Sequence, residues 1–419
     1  MNKKAALKRI RISIKPEKIY NFYILYLIFG FIFAVFISIV LKSQTNTISA
    51  IYRLSVPFLS CFFIVYSIRK KHYKLNKWFI TLIFFLIFFL IRAIYSFEIL
   101  GFSEYSQTYT STTIYFFIAG SIILPIIAIS LSSQYFNIEY FNKHFLRTLI
   151  LCGLLILVGT YIRYEGNILG IIAERYLLWD QKAKIAGSVS SFNPILISRF
   201  GALLIFTFSI SYNQKHFYKI TGIFLGLILF AVGGSRGPIF ALFFTYIIYF
   251  FVNPKRSFVK IALFSTVILF ISFVAVVPKT EISLFERFNI EELRNLGNRA
   301  DHWKESINTI IKYPLFGNQI WQGKNLTYPH NLFLEASIST GILGLSLLLI
   351  SLLKTTKNIF LSKNNPIYRI LTFTFILQTL FTMFSGAIYS NFEFWYFLAL
   401  TLSLKQPATN KPFIHTLHP

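Results

Sequence analysis

The chain has 419 residues, of which 55% are hydrophobic and 13% charged, and its formal net charge at pH 7 is +26. Its length would suit several soluble domains, but the apolar runs recur without a long polar interval, which predicts a single membrane domain over residues 1–419. Lys and Arg are dispersed among the short segments between these runs, as orientation signals are, so the charge does not indicate a nucleic acid partner. Cys61 and Cys152 fall inside apolar runs without metal-ligand spacing, so they support neither a disulfide framework nor a zinc site.

Twelve apolar segments are candidates to cross a bilayer core of roughly 30 Å. Because every backbone polar group must be hydrogen-bonded inside a membrane, they predict an all-α, polytopic fold with about twelve transmembrane helices. The predicted spans are 22–41, 54–68, 78–95, 112–131, 149–162, 194–211, 220–235, 238–252, 261–277, 332–353, 370–385 and 391–404.

An even number of spans places both termini on the same side of the membrane. If that side is the cytoplasm, the inner segments carry 25 of the 41 Lys and Arg residues but only Glu17 and Glu139 of the 15 acids. This asymmetry predicts cytoplasmic termini. The longest outer segments are then 163–193 and 278–331, and the second is a large outer loop before the tenth span.

The turn between the seventh and eighth spans reads GGSRGP, with Arg236 near its centre. Backbone N–H groups of such a turn can approach a phosphate while the arginine supplies a fixed charge, so an anionic ligand would fit. The alternative, of equal weight, is a hairpin turn whose arginine anchors at the lipid headgroups. It is not a Walker loop, because the Gly-Lys-Ser/Thr element is missing.

A short surface helix is predicted to begin near Asn298, because apolar residues then recur at helical spacing until Pro314 and Gly317 end it. Arg299 and Trp303 stand at i and i+4 and share a face of this helix. The helix could therefore hold a cation over a polar headgroup. An amphipathic surface helix with solvated charges is the simpler alternative.

His302 and His330 are the only two of the seven histidines in the predicted outer segments. His330 comes just before the tenth span, at the outer rim, where an imidazole can accept a proton near neutral pH. Its alternative is a residue that only marks the start of the helix. Arg199 lies roughly five residues inside the sixth span, where a charge costs about 2.5–3.5 kcal/mol on insertion scales. It is expected to face the protein interior or a polar cavity, or to extend to the membrane surface.

Four motifs follow one another in the second half of the chain, and their combination resembles the O-antigen ligase and polymerase superfamily. The resemblance covers roughly Gly222 to Leu353, whereas the first 190 residues agree only in being hydrophobic. The motifs are the SRG turn with Arg236, the R-x-x-x-W helix with Arg299 and Trp303, the segment Pro314-Leu315-Phe316-Gly317, and His330-Asn331 followed by Gly341-x-x-Gly344.

The resemblance implies an integral-membrane glycosyltransferase of the bacterial inner membrane, which uses a polyprenyl-diphosphate-linked glycan as donor on the outer face. It also implies that Arg236, Arg299 and His330 are the catalytic residues. Two arginines can stabilise the negative charge that develops on the leaving diphosphate, so neither a metal nor another cofactor is expected.

Three further residues are assigned supporting roles as hypotheses. Arg199 and Arg175 are expected to help hold the diphosphate from the side of the 163–193 segment. Glu335 is expected to orient His330. The expected partners are the lipid-linked donor, a glycan or lipid A-core acceptor, membrane lipids and a chain-length regulator.

The shared motifs leave two kinds of transferase open. A polymerase adds the lipid-linked glycan to another repeat unit, and the Arg299-to-Gly317 segment favours it slightly. A ligase adds the glycan to lipid A-core or a protein, and the His-Asn-x9-Gly-x-x-Gly pattern suits it. A lipid-linked oligosaccharide transporter ranks lower. Such a protein is expected to carry polar groups near the bilayer midplane, whereas the charges here are predicted to cluster at one face.

Overall fold

The computed structural model describes residues 15–43, 45–71, 76–101, 110–166, 192–211, 214–253, 299–321 and 328–404. The regular secondary structure in these ranges is helical, with no strand, as predicted. The helices are α1 (Pro16–Val40), α2 (Thr45–Arg69), α3 (Lys77–Ile99), α4 (Ser111–Tyr135), α5 (Ile138–Arg163), α6 (Pro194–Ile210), α7 (His216–Gly233), α8 (Arg236–Val252), α9 (Arg299–Lys312), α10 (Leu332–Asn364), α11 (Arg369–Phe384) and α12 (Phe392–Ser403).

Eight of the described helices are long and apolar enough to cross a membrane, namely α1 to α5, α7, α10 and α11. Three more, α6, α8 and α12, are apolar but have 17 residues or fewer. Each of these helices lies at a predicted span. The ninth predicted span, 261–277, and the first part of the loop 278–331 fall outside the described residues, so the count of about twelve spans stays a prediction.

Some helices extend well beyond the predicted spans. Helix α5 begins at Ile138 rather than near 149, and the side chain of Asn137 caps it by accepting a hydrogen bond from the Tyr140 N–H. Its first turns carry polar residues such as Glu139 and Lys143, which an apolar window leaves out. A helix forms wherever its backbone groups are hydrogen-bonded and its first turn is capped. A hydropathy window detects only the apolar part of the helix, which can lie in the hydrocarbon core of the membrane.

Helix α2 shows which of its faces is suited to lipid. Large apolar side chains spaced three or four residues apart are exposed along one stripe, and they include Leu54 (62% exposed), Phe58 (76%) and Phe62 (54%). An exposed apolar stripe of this length is unfavourable in water, but it matches the hydrocarbon of a bilayer. The exposed stripe therefore agrees with a multi-pass membrane protein.

Helices α6 and α7 form a tightly packed antiparallel pair. At Gly201 a Cβ atom would meet the backbone of Gly226 and Phe230, and at Gly226 it would meet the backbone of Gly201 and Ile205. Small residues let helix backbones approach closely in a membrane, where packing has to replace the hydrophobic effect. The same close approach continues to Gly233, next to Ser198, and so fixes the start of α6 beside the turn that leads into α8.

Helix α10 is broken at Gly341, whose φ of 62° and ψ of −163° are non-helical. The freed N–H groups of Ile342 and Leu343 donate to the carbonyls of Pro314 (2.8 Å) and Leu315 (3.3 Å). In return, the carbonyl of Ile338 accepts a hydrogen bond from the Asn318 N–H at 2.8 Å. The motif 314–317 thus fills the gap in the helix, and this exchange docks the end of α9 onto α10.

Helix α9 is amphipathic and lies against α10. Trp303 is half-buried, while Ile307 and Ile311 are 51% and 72% exposed. This exposed apolar face continues onto Leu315 and Phe316 beyond the end of the helix.

The ends of several helices meet at one end of the bundle. Helix α7 ends there, α8, α10 and α12 begin there, and α11 ends there. The Ser235 N–H donates to Ser198 Oγ (3.0 Å), the Asn331 side chain donates to the carbonyl of Met383 (3.4 Å), and Gly237 packs on Phe384. His216, at the start of α7, lies at the opposite end of that helix.

Candidate functional site at one end of the bundle

Arg236 is the first residue of α8 and is half-buried. Gly234 ends α7 in the left-handed conformation with φ 49°, and Ser235 then turns the chain into α8. The bond from Ser235 N–H to Ser198 Oγ ties this turn to α6. The arginine therefore stands at a helix N-terminus, where N–H groups and the helix dipole add positive potential to its charge.

Arg199 follows Ser198 directly, so its position on α6 is fixed beside the same turn. Its guanidinium donates to Asn391 Oδ1 (3.0 Å) and to the carbonyls of Phe381 (3.1 Å) and Ser385 (2.7 Å), and it lies over the Phe381 ring. The two carbonyls belong to the C-terminal turn of α11. The last carbonyls of a helix have no N–H partner within the helix, and a cation is well suited to bond them. As expected, the charge faces the protein interior. The hypothesis that Arg199 also contacts the diphosphate stays a prediction.

His330 takes an unusual backbone conformation for a residue with a side chain. Its φ is 55°, in the left-handed region, and the side chain is half-buried with its ring 4.5 Å from the ring of Tyr328. Such strain persists only where the surrounding structure fixes it, and it concentrates at functional sites. The residue before His330 is also held, because the Trp303 indole N–H donates to the carbonyl of Pro329 at 3.0 Å. This bond places α9 next to His330.

Asn331 caps helix α10 and connects it to α11. Its Oδ1 accepts from the N–H groups of Phe333 (3.1 Å) and Leu334 (3.2 Å), while its Nδ2 donates to the carbonyl of Met383. The cap explains why the helix begins directly after His330. The helix-start role therefore belongs to Asn331, and this role is compatible with a separate role for the His330 imidazole.

The C-terminal turn of α11, residues 381–385, is where these elements meet. Arg199 bonds two of its carbonyls, Asn331 bonds a third, and Gly237 of the Arg236 turn packs on Phe384. The structure thus brings the segments that carry Arg236, Arg199 and His330 together at one end of the bundle.

Arg299 is the first residue of α9, four residues before Trp303. Arg175 lies outside the described residues.

Glu335 is fully buried on the first turn of α10. Its Oε2 accepts a hydrogen bond from the Ile388 N–H at 2.9 Å, and its Oε1 has no hydrogen-bond partner among the described residues. Within that part of the chain, no hydrogen bond joins Glu335 to His330. Its bonded partner is instead the loop between α11 and α12.

That loop, residues 385–391, is the part of the site that the sequence did not indicate. Besides accepting from Arg199, Asn391 donates through Nδ2 to the carbonyl of Ala387 at 2.9 Å. The Trp395 indole N–H donates to the carbonyl of Ile388 at 2.8 Å. Its sequence, SGAIYSN, carries a turn signal in Gly, Ser and Asn but no charge that points to a site.

In chemical terms, this end of the bundle joins guanidinium groups and a helix N-terminus with one imidazole. The first two suit a phosphate-bearing ligand, and the third suits proton transfer. Within the described ranges, no three His, Cys, Asp or Glu side chains lie close enough together to hold a metal ion.

Fold and site together define a multi-pass, all-helical membrane protein with a cationic, histidine-bearing site at one end of its bundle. Residues 221–349 match the family model described as O-Antigen ligase, which confirms the predicted resemblance to the O-antigen ligase and polymerase superfamily. The match indicates a membrane enzyme that transfers glycans. It contains Arg236, Arg299, His330 and Glu335, whereas Arg175 and Arg199 precede it. No curated protein sequence matches the chain.

Proposed function

We propose that the protein is a metal-independent membrane glycosyltransferase that transfers a polyprenyl-diphosphate-linked oligosaccharide to a sugar hydroxyl. One observation carries this proposal: the Arg236 turn and the His330-Asn331 segment, which both lie within the residues that match the family, meet at the C-terminal turn of α11. The site would lie on the outer face of the bacterial inner membrane, with both termini in the cytoplasm.

In the reaction, the oxygen of the acceptor hydroxyl attacks the anomeric carbon of the donor and forms the new glycosidic bond. The bond from that carbon to the diphosphate breaks, and its electron pair leaves with the polyprenyl diphosphate. His330 accepts the proton that the hydroxyl loses. Direct displacement of this kind inverts the anomeric centre.

Arg236 and Arg299 would stabilise the negative charge on the leaving diphosphate. The charge of this group rises in the transition state, so fixed cations bind it more strongly there than in the ground state. Arg175, with Arg199, would add to the same positive field. The donor bond supplies the driving free energy, and the step therefore needs no cofactor.

The acceptor distinguishes two versions of this function. We favour a polymerase of O-antigen or capsule repeat units, with a chain-length regulator as partner, because of the Arg299-to-Gly317 segment. The description of the matched family supports the second version, a ligase that transfers the finished glycan to lipid A-core or to a protein.

The test uses cells that lack the native gene and express wild type, Arg236→Ala, Arg299→Ala or His330→Ala at matched membrane levels. Arg147→Ala and His216→Ala are the matched controls, because each removes the same kind of side chain at an exposed position away from the site. Surface and lipid-linked glycans are resolved by gel. Single repeat units in place of long chains support the polymerase. Full-length chains that accumulate on polyprenyl diphosphate support the ligase.

Unchanged glycans in all three variants would overturn the transferase and bring a lipid-linked oligosaccharide transporter forward. Equal losses in the two controls would show that the gel reports expression or folding rather than the site.

A further inference from the structure

We propose that Arg199 and Glu335 are positioning residues of the transfer site. From two sides they fix the loop between α11 and α12, residues 385–391, and this loop in turn fixes Tyr328 and His330. The inference rests on the proposed function, since it concerns how the imidazole is held for proton transfer.

Arg199 holds the loop at both of its ends. One bond goes to the carbonyl of Ser385 and another to Oδ1 of Asn391, in addition to the bond with Phe381. A guanidinium has five N–H donors. Three of these five make hydrogen bonds inside the protein, while the Nε–H is buried without a partner in the described ranges. Glu393, at the start of α12, interacts electrostatically with the same cation.

Glu335 holds the middle of the loop from α10. Its carboxylate accepts the Ile388 N–H at 2.9 Å, and the side chain is fully buried. A buried carboxyl group is costly unless it is hydrogen-bonded. This bond is therefore the contribution that the structure assigns to Glu335. It also links the loop to the same helical turn that Asn331 begins, because the Glu335 N–H donates to the Asn331 carbonyl at 2.9 Å.

Hydrogen bonds within the loop connect its residues, so that they would move together. Its Ala387 N–H donates to Ser390 Oγ at 3.0 Å, and Asn391 bonds back to the Ala387 carbonyl. Trp395 holds the carbonyl of Ile388 from α12. Loss of either external anchor would therefore shift the whole loop rather than one residue.

The loop reaches the imidazole through aromatic contacts. The buried Tyr389 ring lies edge-on to the Tyr328 ring, with centroids 6.3 Å apart, and the Tyr328 ring is 4.5 Å from the His330 ring. The Tyr328 ring packs directly on the imidazole and so limits the directions that the His330 ring can take. A displaced Tyr389 would thus misdirect the group that receives the proton.

The first test compares Glu335→Gln with Glu335→Met in purified, reconstituted protein, with a synthetic polyprenyl-diphosphate-linked glycan as donor. Glutamine keeps an oxygen that can accept the Ile388 N–H, whereas methionine has a similar size but no such acceptor. We expect Glu335→Met to lower kcat by about 10- to 100-fold, the scale of a misplaced catalytic group, with a smaller change in KM. We expect Glu335→Gln to restore most of kcat with the wild-type pH profile.

An inactive Glu335→Gln variant, or one with an altered pH profile, would overturn the positioning role, because the carboxylate would then take part through its charge or proton. A fully active Glu335→Met variant would overturn it as well.

The second test addresses Arg199 through its partner. Asn391→Ala removes the side-chain acceptor of Arg199. If both residues act through the loop, Arg199→Ala, Asn391→Ala and the double variant should lose similar fractions of kcat, whereas independent roles would multiply the losses. Multiplied losses would overturn the shared role.

Wild type and His330→Ala separate the inference from the function on which it rests. If wild type transfers no glycan, the proposed function fails, whatever the loop variants do. If wild type and His330→Ala are equally active, His330 is not the general base, and the positioning inference fails with that role. If His330→Ala is inactive while Glu335→Met and Asn391→Ala work normally, only the positioning inference fails. Each variant must elute as a monodisperse peak and have a Tm well above the assay temperature, so that the activity of folded protein is compared.

Discussion

The indole N–H of Trp303 donates a hydrogen bond to the carbonyl of Pro329, at 3.0 Å, directly before His330. This bond connects the amphipathic helix α9 to the segment that carries the imidazole. Because α9 begins at Arg299, the bond also fixes where the first turn of that helix lies relative to His330. The two motifs that the sequence presents as separate therefore form one local unit.

Trp303→Phe tests the value of this bond. Phenylalanine keeps an aromatic ring but cannot donate, so the variant should lose roughly 0.5–1.5 kcal/mol, as typical for a neutral hydrogen bond. We expect a small drop in Tm and a several-fold lower transfer rate, because α9 is held less firmly. Trp78→Phe, at the start of α3 away from the site, is the matched control. Equal transfer rates in the two variants would contradict the role assigned to Trp303.

Gly341→Ala tests the break in α10. Its φ of 62° and ψ of −163° belong to a region that essentially only glycine adopts, and an added Cβ would run into the backbone of Leu315 and Gly317. We expect a clear loss of thermal stability in detergent and cleavage by protease near residues 314–317. Gly120→Ala, in helix α4, is the control, since its Cβ would come no closer than 3.3 Å to the Phe116 ring. Equal stability of both variants would mean that the break is not essential.

His330→Asn separates the imidazole from the backbone conformation. Asparagine adopts a positive φ more readily than alanine does, so this variant keeps the turn while removing the proposed proton acceptor. Transfer should fall by about 10²- to 10⁴-fold, the usual contribution of general base catalysis, with little change in Tm. The measurement is single-turnover transfer from a lipid-linked donor. A rate near that of wild type would remove the general-base role from His330.

Ser198→Ala tests the tie between α6 and the Arg236 turn. The Ser198 hydroxyl accepts the buried Ser235 N–H, and its loss should cost on the order of 1–3 kcal/mol. We expect a lower Tm together with reduced transfer, since Arg236 follows Ser235 directly. Thr221→Ala removes a hydroxyl that bonds only within its own helix and serves as the control. If the two variants lose Tm and activity equally, the tie has no special role.

The exposed apolar face of α9 predicts how the helix lies at the membrane. Spin labels at residues 305 and 307, in a Cys61→Ser background, should report opposite environments, because Glu305 and Ile307 are both exposed and point about 160° apart around the helix axis. The label at 307 should be relaxed by oxygen dissolved in lipid, and the label at 305 by a water-soluble nickel complex. Identical accessibility at the two positions would contradict a helix lying in the interface.

The sequence predicted the elements well wherever the signal was local. Apolar length located most of the described helices, and the proline, glycine and histidine motifs marked where several of them begin and end, but the sequence did not predict the break of α10 at Gly341. It underestimated helices whose first turns are polar, such as α5, because an apolar window records burial in lipid rather than helix formation. It also left open whether His330 marks the helix start, which the cap by Asn331 now explains.

By itself, then, the sequence determined an all-helical membrane protein with its notable polar residues at the ends of helices, because hydropathy and turn chemistry act between near neighbours in the chain. Only the tertiary structure decided what those residues bond to. Arg199 meets Asn391, 192 residues away, and Glu335 meets Ile388, 53 residues away. Such partners are chosen by the packing of whole helices, in which a buried polar group bonds whatever the fold brings within reach, and no spacing in the sequence encodes that choice.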